Sequence, residues 1–188
     1  MKTLLELYNK HYDPKTGWPD KNSVHSYIEV YEEILKPYRH INGNVLEIGL
    51  MSGESLRMWD EYFDYADVHG IDCSETPIDG KADLRPMIKE GFLISIGDAT
   101  NKDDIKRFYN YVKFDVVIDD GSHNTCDQLK TYNILENYMA EGGVYIIEDP
   151  QQLDEDKEKY IALHKSVEII DRRSIKNRYD DSLILIRF

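Results

Sequence analysis

The chain has 188 residues, with 36 Asp and Glu against 23 Lys and Arg, a formal net charge of −13 and 41% hydrophobic residues. That acidity argues against a nucleic-acid or anionic-membrane surface, because binding phosphates requires clustered Lys and Arg, while the length suits one domain with a proper core. The two cysteines, Cys73 and Cys126, form no CxxC and read as small semi-buried residues of a reduced protein. No run approaches the ~18 apolar residues of a membrane span, and MKTLLELYNKHYD is too short in apolar residues for a signal peptide, so a cytoplasmic protein is expected.

In chain order, Leu4, Leu5 and Tyr8 predict a short amphipathic helix, ended by the turn-rich DPKTGWPDKNS. Ser23 is placed to cap a second helix that runs to about Lys36, with Val24, Tyr27, Ile28, Tyr31, Ile34 and Leu35 on one apolar stripe. Trp18, Lys21, His25 and Tyr27 in this preface are candidates to close over a ligand. Against that, Tyr27 and Tyr31 read as packing, and Lys21 and His25 fit equally well as solvated side chains.

A strand at Val45–Ile48 then leads through Gly49-Leu50-Met51-Ser52-Gly53 into a helix with Leu56, Trp59 and Phe63 inward. The spacing is G-x-x-x-G, neither the G-x-G-x-x-G of a dinucleotide site nor a Walker loop, and it suits a smaller anionic group such as a carboxylate. The next strand, Val68–Asp72, ends in an acid about 20 residues past the loop, the placement that hydrogen-bonds a ribose diol in nucleoside-binding α/β folds. Phe92–Asp98 is another strand, followed by a helix marked by Ile105, Phe108, Tyr109 and Val112.

The most informative stretch is FDVVIDDGSHNTCD, Phe114 to Asp127. Val116, Val117 and Ile118 read as a strand buried on both faces, and the run stops in Asp119 and Asp120, with His123 just beyond. A crossover helix follows, with Leu129, Tyr132, Leu135 and Tyr138, stopped at Gly142-Gly143; the strand GVYIIEDP then ends in Glu148 and Asp149. One right-handed crossover makes the two strands parallel neighbours with their acids side by side. Three carboxylates that converge without a nearby Lys or Arg repel one another, and a hard divalent cation compensates them, Mg²⁺, Ca²⁺ or Mn²⁺ before Zn²⁺. The plain alternative is that these acids cap helices or face water. An acidic helix at about Asp154 to Lys165 comes next, then strands at Ser166–Arg172 and Ser182–Phe188 forming an antiparallel hairpin. Its loop holds the chain's one basic cluster, Arg172, Arg173, Lys176 and Arg178, read as solvated or as a contact for an acidic partner subunit or a phosphorylated acceptor.

VLEIGLMSGES resembles motif I of class I S-adenosylmethionine-dependent methyltransferases, with its acid, Glu47, two residues before the first glycine. PDKNSVHSYIEVYEEIL, EYFDYADVHGIDCS, IDDGSH and IIEDP are similar to the metal-dependent sugar O-methyltransferases of the macrocin and mycinamicin type. The resemblance implies a single-domain Rossmann-like α/β fold: a mostly parallel seven-stranded sheet with a C-terminal antiparallel hairpin and helices on both faces. Residues 41–188 would be the S-adenosylmethionine-binding core and residues 1–40 a helical cap. It further implies that Glu47, Gly49, Gly53, Ser55, Asp72, Asp98, Ala99 and Asp119 bind S-adenosyl-L-methionine, that Asp120, Glu148 and Asp149 hold Mg²⁺, and that His123 is the general base, with Asp120 shared by metal and catalysis. The implied activity is methyl transfer to a hydroxyl of a sugar or sugar-bearing small molecule, with no nucleic-acid or membrane partner and with room for a homo-oligomer. A non-catalytic cofactor-binding module and a catechol-type acceptor are the alternatives. The sequence departs from the family in having only about 40 residues before motif I and Met51-Ser52 between its glycines.

Overall fold

The computed structural model describes residues 2–76 and 82–188. Five strands run parallel: β1 (Asn44–Ile48), β2 (Asp67–Asp72), β3 (Leu93–Ile96), β4 (Phe114–Asp119) and β5 (Met139–Glu148). Two more, β6 (Glu168–Asp171) and β7 (Ser182–Arg187), add an antiparallel hairpin, with β7 seated between β5 and β6. The order across the sheet is β3-β2-β1-β4-β5-β7-β6, and its seven strands, mostly parallel with a C-terminal antiparallel hairpin, are those the resemblance implies.

The continuous apolar runs of the central strands are explained by cores on both faces, since successive side chains point to opposite sides. One core joins Val45, Val116, Ile118, Val144 and Ile146 to the helices α1 (Leu4–His11), α2 (Ile28–Leu35) and α3 (Glu54–Tyr62) through Leu4, Leu7, Tyr31, Leu56 and Trp59. The other joins Leu46, Val117, Tyr145 and Ile147 to Ile105, Tyr132 and Tyr160, from α5 (Lys102–Tyr109), α6 (Thr125–Leu135) and α7 (Leu153–Ile161). A short α4 (Arg85–Glu90), with no apolar periodicity to announce it, precedes β3 and places Met87 in the first core.

Several local expectations are corrected. The first helix buries Leu7 in place of Leu5, which is 46% exposed, and is closed by a reciprocal cap between Thr3 and Glu6. The second helix starts at Ile28, not Ser23. Ser23 Oγ instead donates to Gly17 O at 3.2 Å, and residues 20–26 form a turn in which the amides of Val24 and His25 both reach Asp20 O at 3.0 Å. The crossover helix does not run to Gly142: α6 ends at Leu135, one 3-10 turn covers Glu136–Tyr138, and β5 begins at Met139. Gly142, at φ +77°, lies inside that strand, whose register against β4 shifts between Phe114 and Val116. The acidic helix α7 stops at Ile161, short of Lys165. Both cysteines are free and exposed, not semi-buried.

The basic loop is not loosely solvated. It folds into α8 (Arg173–Lys176), and its side chains are engaged internally. Arg172 Nε donates to Ser26 Oγ at 2.9 Å, Lys176 Nζ to the carbonyls of Asn22 and Ser23, Arg173 to Asp154 and Asp171, and Arg178 to Asp180. Together with Asp181, which accepts from the Ser26 amide at 3.0 Å and from its hydroxyl at 2.8 Å, this loop fastens the turn over residues 20–26 to the sheet edge. Among the described residues no helix is long and apolar enough to cross a membrane.

Candidate functional site

β1 and β4 are adjacent, and the strand order reverses between them, so the chain leaves their C-terminal ends toward opposite faces and a crevice opens there. It is a cavity of about 740 Å³, lined by the loops after β1, β2, β3 and β4 and by Trp18, Pro19, Asp20 and Lys21 from the preface. Gly49 is required where the loops after β1 and β4 touch: at φ +80° its added Cβ would lie 2.2 Å from Asp120 O.

On the β1–β3 side, Gly49, Ser55, Asp72, Asp98 and Ala99 line the cavity. Asp72 Oδ2 accepts from the Leu50 amide at 2.8 Å and Oδ1 from the Ser74 amide at 3.1 Å, tying the glycine loop to β2; Asp98 accepts from the Thr100 amide at 2.8 Å. Each carboxylate keeps lone pairs for a ligand.

Two expected cofactor residues stand elsewhere. Glu47 is wholly buried beneath the cavity, where it accepts from Ser55 Oγ and from Trp59 Nε1, each at 3.0 Å, and braces α3 against β1. Burial pushes its carboxyl up to about 7, although Lys21 pulls it down. Gly53, at φ +85°, is the N-cap of α3, and its Cβ would meet Met87 Sδ at 2.2 Å, so the absent side chain makes room for α4 and not for a ligand.

The β4–β5 side departs further from expectation. Asp119 and Asp120 do line the cavity, but Asp119 is turned in, accepting from Tyr145 Oη at 3.2 Å and the Gly121 amide at 3.3 Å. Burial raises its carboxyl to about 7. The acids were expected to converge without a cation, and that is overturned: Lys21, 1% exposed, places Nζ 2.6 Å from Glu148 Oε1, 2.7 Å from Asp120 Oδ2 and 3.7 Å from Glu47 Oε1. Burial alone would strip its proton, but the Asp120, Glu148 and Glu47 carboxylates outweigh burial and hold the ammonium well above its ordinary range.

Glu148, expected as a ligand beside Asp149, has its Oε1 engaged by Lys21 and by Tyr31 Oη at 2.6 Å. Tyr27 and Tyr31 are buried as the stripe predicted, yet their hydroxyls are turned to the acids, Tyr27 donating to Asp149. Desolvation, then the neighbouring Asp120 carboxylate, raises both Glu148 and Asp149. His25 is buried as well, stacked on Tyr27 with Nδ1 3.2 Å from Asp149 Oδ1, and burial followed by Arg178 lowers it to about 4.

What the fold gathers is Asp120, His123 and Asp149, each offering one ligand atom within 4.8 Å of the others. His123 Nε2 lies 3.8 Å from Asp120 Oδ1. His123 and Asp149 hold φ of +58° and +54°, and Met51 on the cavity wall holds +49°, so three of the four non-glycine residues in the left-handed region among the described residues surround the site. Such backbone is costly and collects where a side chain must be aimed. Asp20, Cys73, Thr100, Gln128 and Thr131 also line the cavity without having been singled out, since nothing in their local pattern separates them from loop and helix-surface residues.

No family model matches the chain. It is 32% identical to mycinamicin VI 2''-O-methyltransferase of Micromonospora griseorubida over 154 residues, covering 78% of this chain and 35% of that protein. It is 30% identical to demethylmacrocin O-methyltransferase of Streptomyces fradiae, over 78% of this chain and 36% of that one. Among solved structures, the MycE methyltransferase of the mycinamycin biosynthetic pathway, in complex with Mg and SAH, aligns with a TM-score of 0.61 at 29% identity, over 79% of this chain and 36% of the other. The chain spans about a third of the length of the curated relatives it matches.

Proposed function

Because the chain has the class I methyltransferase fold and resembles the macrocin and mycinamicin type of sugar O-methyltransferase, we propose that it transfers a methyl group from S-adenosyl-L-methionine to a hydroxyl of a sugar or sugar-bearing small molecule, assisted by Mg²⁺. The observation that carries this reading is that one cavity is lined by Asp72, poised for a ribose diol, and by Asp120 and His123 of the cluster that Asp149 completes. The donor set suits a hard divalent ion, held by Asp120 and Asp149, with Glu148 behind them on Lys21. Bound there, the ion would act as a Lewis acid that lowers the pKa of the acceptor hydroxyl.

An alcohol is too weak an acid to attack a sulfonium methyl group at neutral pH, so its proton needs an acceptor. His123 takes that role. As the C–O bond forms and the C–S bond breaks, the hydroxyl proton passes to the imidazole and S-adenosylhomocysteine leaves. An imidazole that coordinated the ion would have lost the same lone pair for the proton, so His123 acts beside the ion and not on it. Tyr27 and Tyr31 fix the second acidic pair through their hydroxyls, and Asp72 and Asp98 fix the nucleoside, so the remaining work is alignment.

Calorimetric titration with S-adenosylhomocysteine, alone, with Mg²⁺ and with chelator, tests the assignment. Nucleoside binding together with a separate Mg²⁺ signal that Asp120→Asn removes supports it, and a screen of glycosides for methyl transfer follows. Absence of nucleoside binding in all three conditions overturns it.

A further inference from the structure

Lys21 is a buried cation that the proposed reaction does not use. It comes from the turn over residues 20–26, far in sequence from its partners, and sits among three acidic strand ends. The Asp120 carboxylate is divided: Oδ2 faces Lys21 Nζ at 2.7 Å, while Oδ1 faces His123 Nε2 at 3.8 Å, on the side where Asp149 completes the cluster. Glu148, next to Asp149 in the chain, is turned onto the ammonium and to Tyr31.

We propose that Lys21 is a built-in competitor for the divalent cation: its ammonium, tethered by Glu148, takes one oxygen of Asp120 and sets how tightly an ion binds at the other. The proposal rests on the cation site of the preceding reading and deepens it. Affinity for a hard cation follows the number of negative ligand charges and the rigidity of the site. Lys21 withdraws one full charge from that count while holding the acids in place without an ion. Glu148 Oε1 is then the counter-ion of the lysine, and its tether limits how far the ammonium leans onto Asp120. A lysine that merely organised the acids would act in the opposite sense, because its loss would loosen the site and weaken the ion.

The test is Mn²⁺ binding, read from the spin-resonance signal of the free ion, on the wild-type chain, Lys21→Met, Glu148→Gln, the double variant, and Lys21→Met carrying Asp120→Asn. Lys21→Met is expected to tighten Mn²⁺ about tenfold or more, and Asp120→Asn in that background to abolish the gain. Glu148→Gln alone is expected to weaken binding several-fold, with the double variant returning to wild-type affinity or better because the ammonium that leaned onto Asp120 is gone. Unchanged or weaker binding in Lys21→Met, or a double variant as weak as Glu148→Gln, overturns the proposal and leaves the cation site standing. No Mn²⁺ binding in either wild type or Lys21→Met overturns both. Should Lys21→Met fail to fold by circular dichroism, the double variant, which removes both charges of the pair, decides on its own.

Discussion

The two sides of the cavity handle their acids differently. On the β1–β3 side, Asp72 and Asp98 hold backbone amides at 2.8 to 3.1 Å and, among the described residues, no cation. On the β4–β5 side every acid is answered from within the chain: Glu148 by Lys21 and Tyr31, Asp149 by Tyr27, Asp119 by Tyr145. The first side is a rigid cradle whose remaining lone pairs wait for the hydroxyls of an incoming molecule. The second already has its acids hydrogen-bonded, so a ligand there must share or displace donors that the protein supplies. One crevice thus combines a site that gains partners on binding with a site that exchanges them.

Separating the two sides by substitution sharpens this contrast. Asp120→Asn is expected to lower methyl transfer by at least about a thousandfold, through loss of the ion and its Lewis-acid contribution, while the S-adenosylhomocysteine dissociation constant, measured by calorimetry, stays within about threefold because it belongs to the other side. His123→Ala is expected to retain both ligands and to lose about 10²- to 10⁴-fold in kcat, the usual worth of a positioned base. Equal loss of cofactor affinity in both variants would mean that the two sides are one folding unit. Asp72→Asn should reverse the pattern, weakening S-adenosylhomocysteine about 10- to 100-fold, the worth of a charge-assisted hydrogen bond, with Mn²⁺ affinity unchanged.

The smallest expected effect concerns the floor common to both sides. Glu47 is raised from its ordinary 4.5 to about 7, chiefly by burial. A raised carboxyl means that the folded chain holds the proton more tightly than the unfolded one. Its contribution is therefore complete below about 4.5 and is lost as pH rises through 7. The melting temperature of the ligand-free chain should fall across that window, and Glu47→Gln should flatten the fall, by at most about 3 kcal/mol for the whole shift. His25, lowered from 6.5 to about 4, runs the other way and loses its contribution as pH falls through that range, which is why the variant and not the raw profile is the measurement.

Much of this site was legible because a parallel strand buried on both faces is a continuous apolar run that stops where the ligands begin. Ile48-Gly49, Ile71-Asp72 and Ile118-Asp119-Asp120 announce their strand ends within a residue or two. The burial of Tyr27 and Tyr31 follows from helical spacing, but what their hydroxyls touch depends on strands more than 110 residues away. Lys21 was illegible for the same reason: nothing around it in DPKTGWPDKNS favours a buried ammonium over a solvated one, and its desolvation is offset only by carboxylates on three distant strand ends. What Glu47 and Gly53 touch was not legible by motif, because a motif records position along the chain and not whether a side chain meets Trp59, Met87 or a ligand.

The fastening of residues 20–26 by the β6–β7 loop has a consequence for how the protein is made. Lys176 lies 154 residues after Asn22, whose carbonyl it holds. At about 5–20 residues per second of synthesis, the ribosome produces the lysine that pairs with the acids roughly 8–30 s before the segment that locks it in place. Asp120 and Glu148 thus emerge into a nascent chain whose internal cation is present but unfastened, so final assembly of the crevice waits for the β6–β7 hairpin and not for the strands that carry its acids.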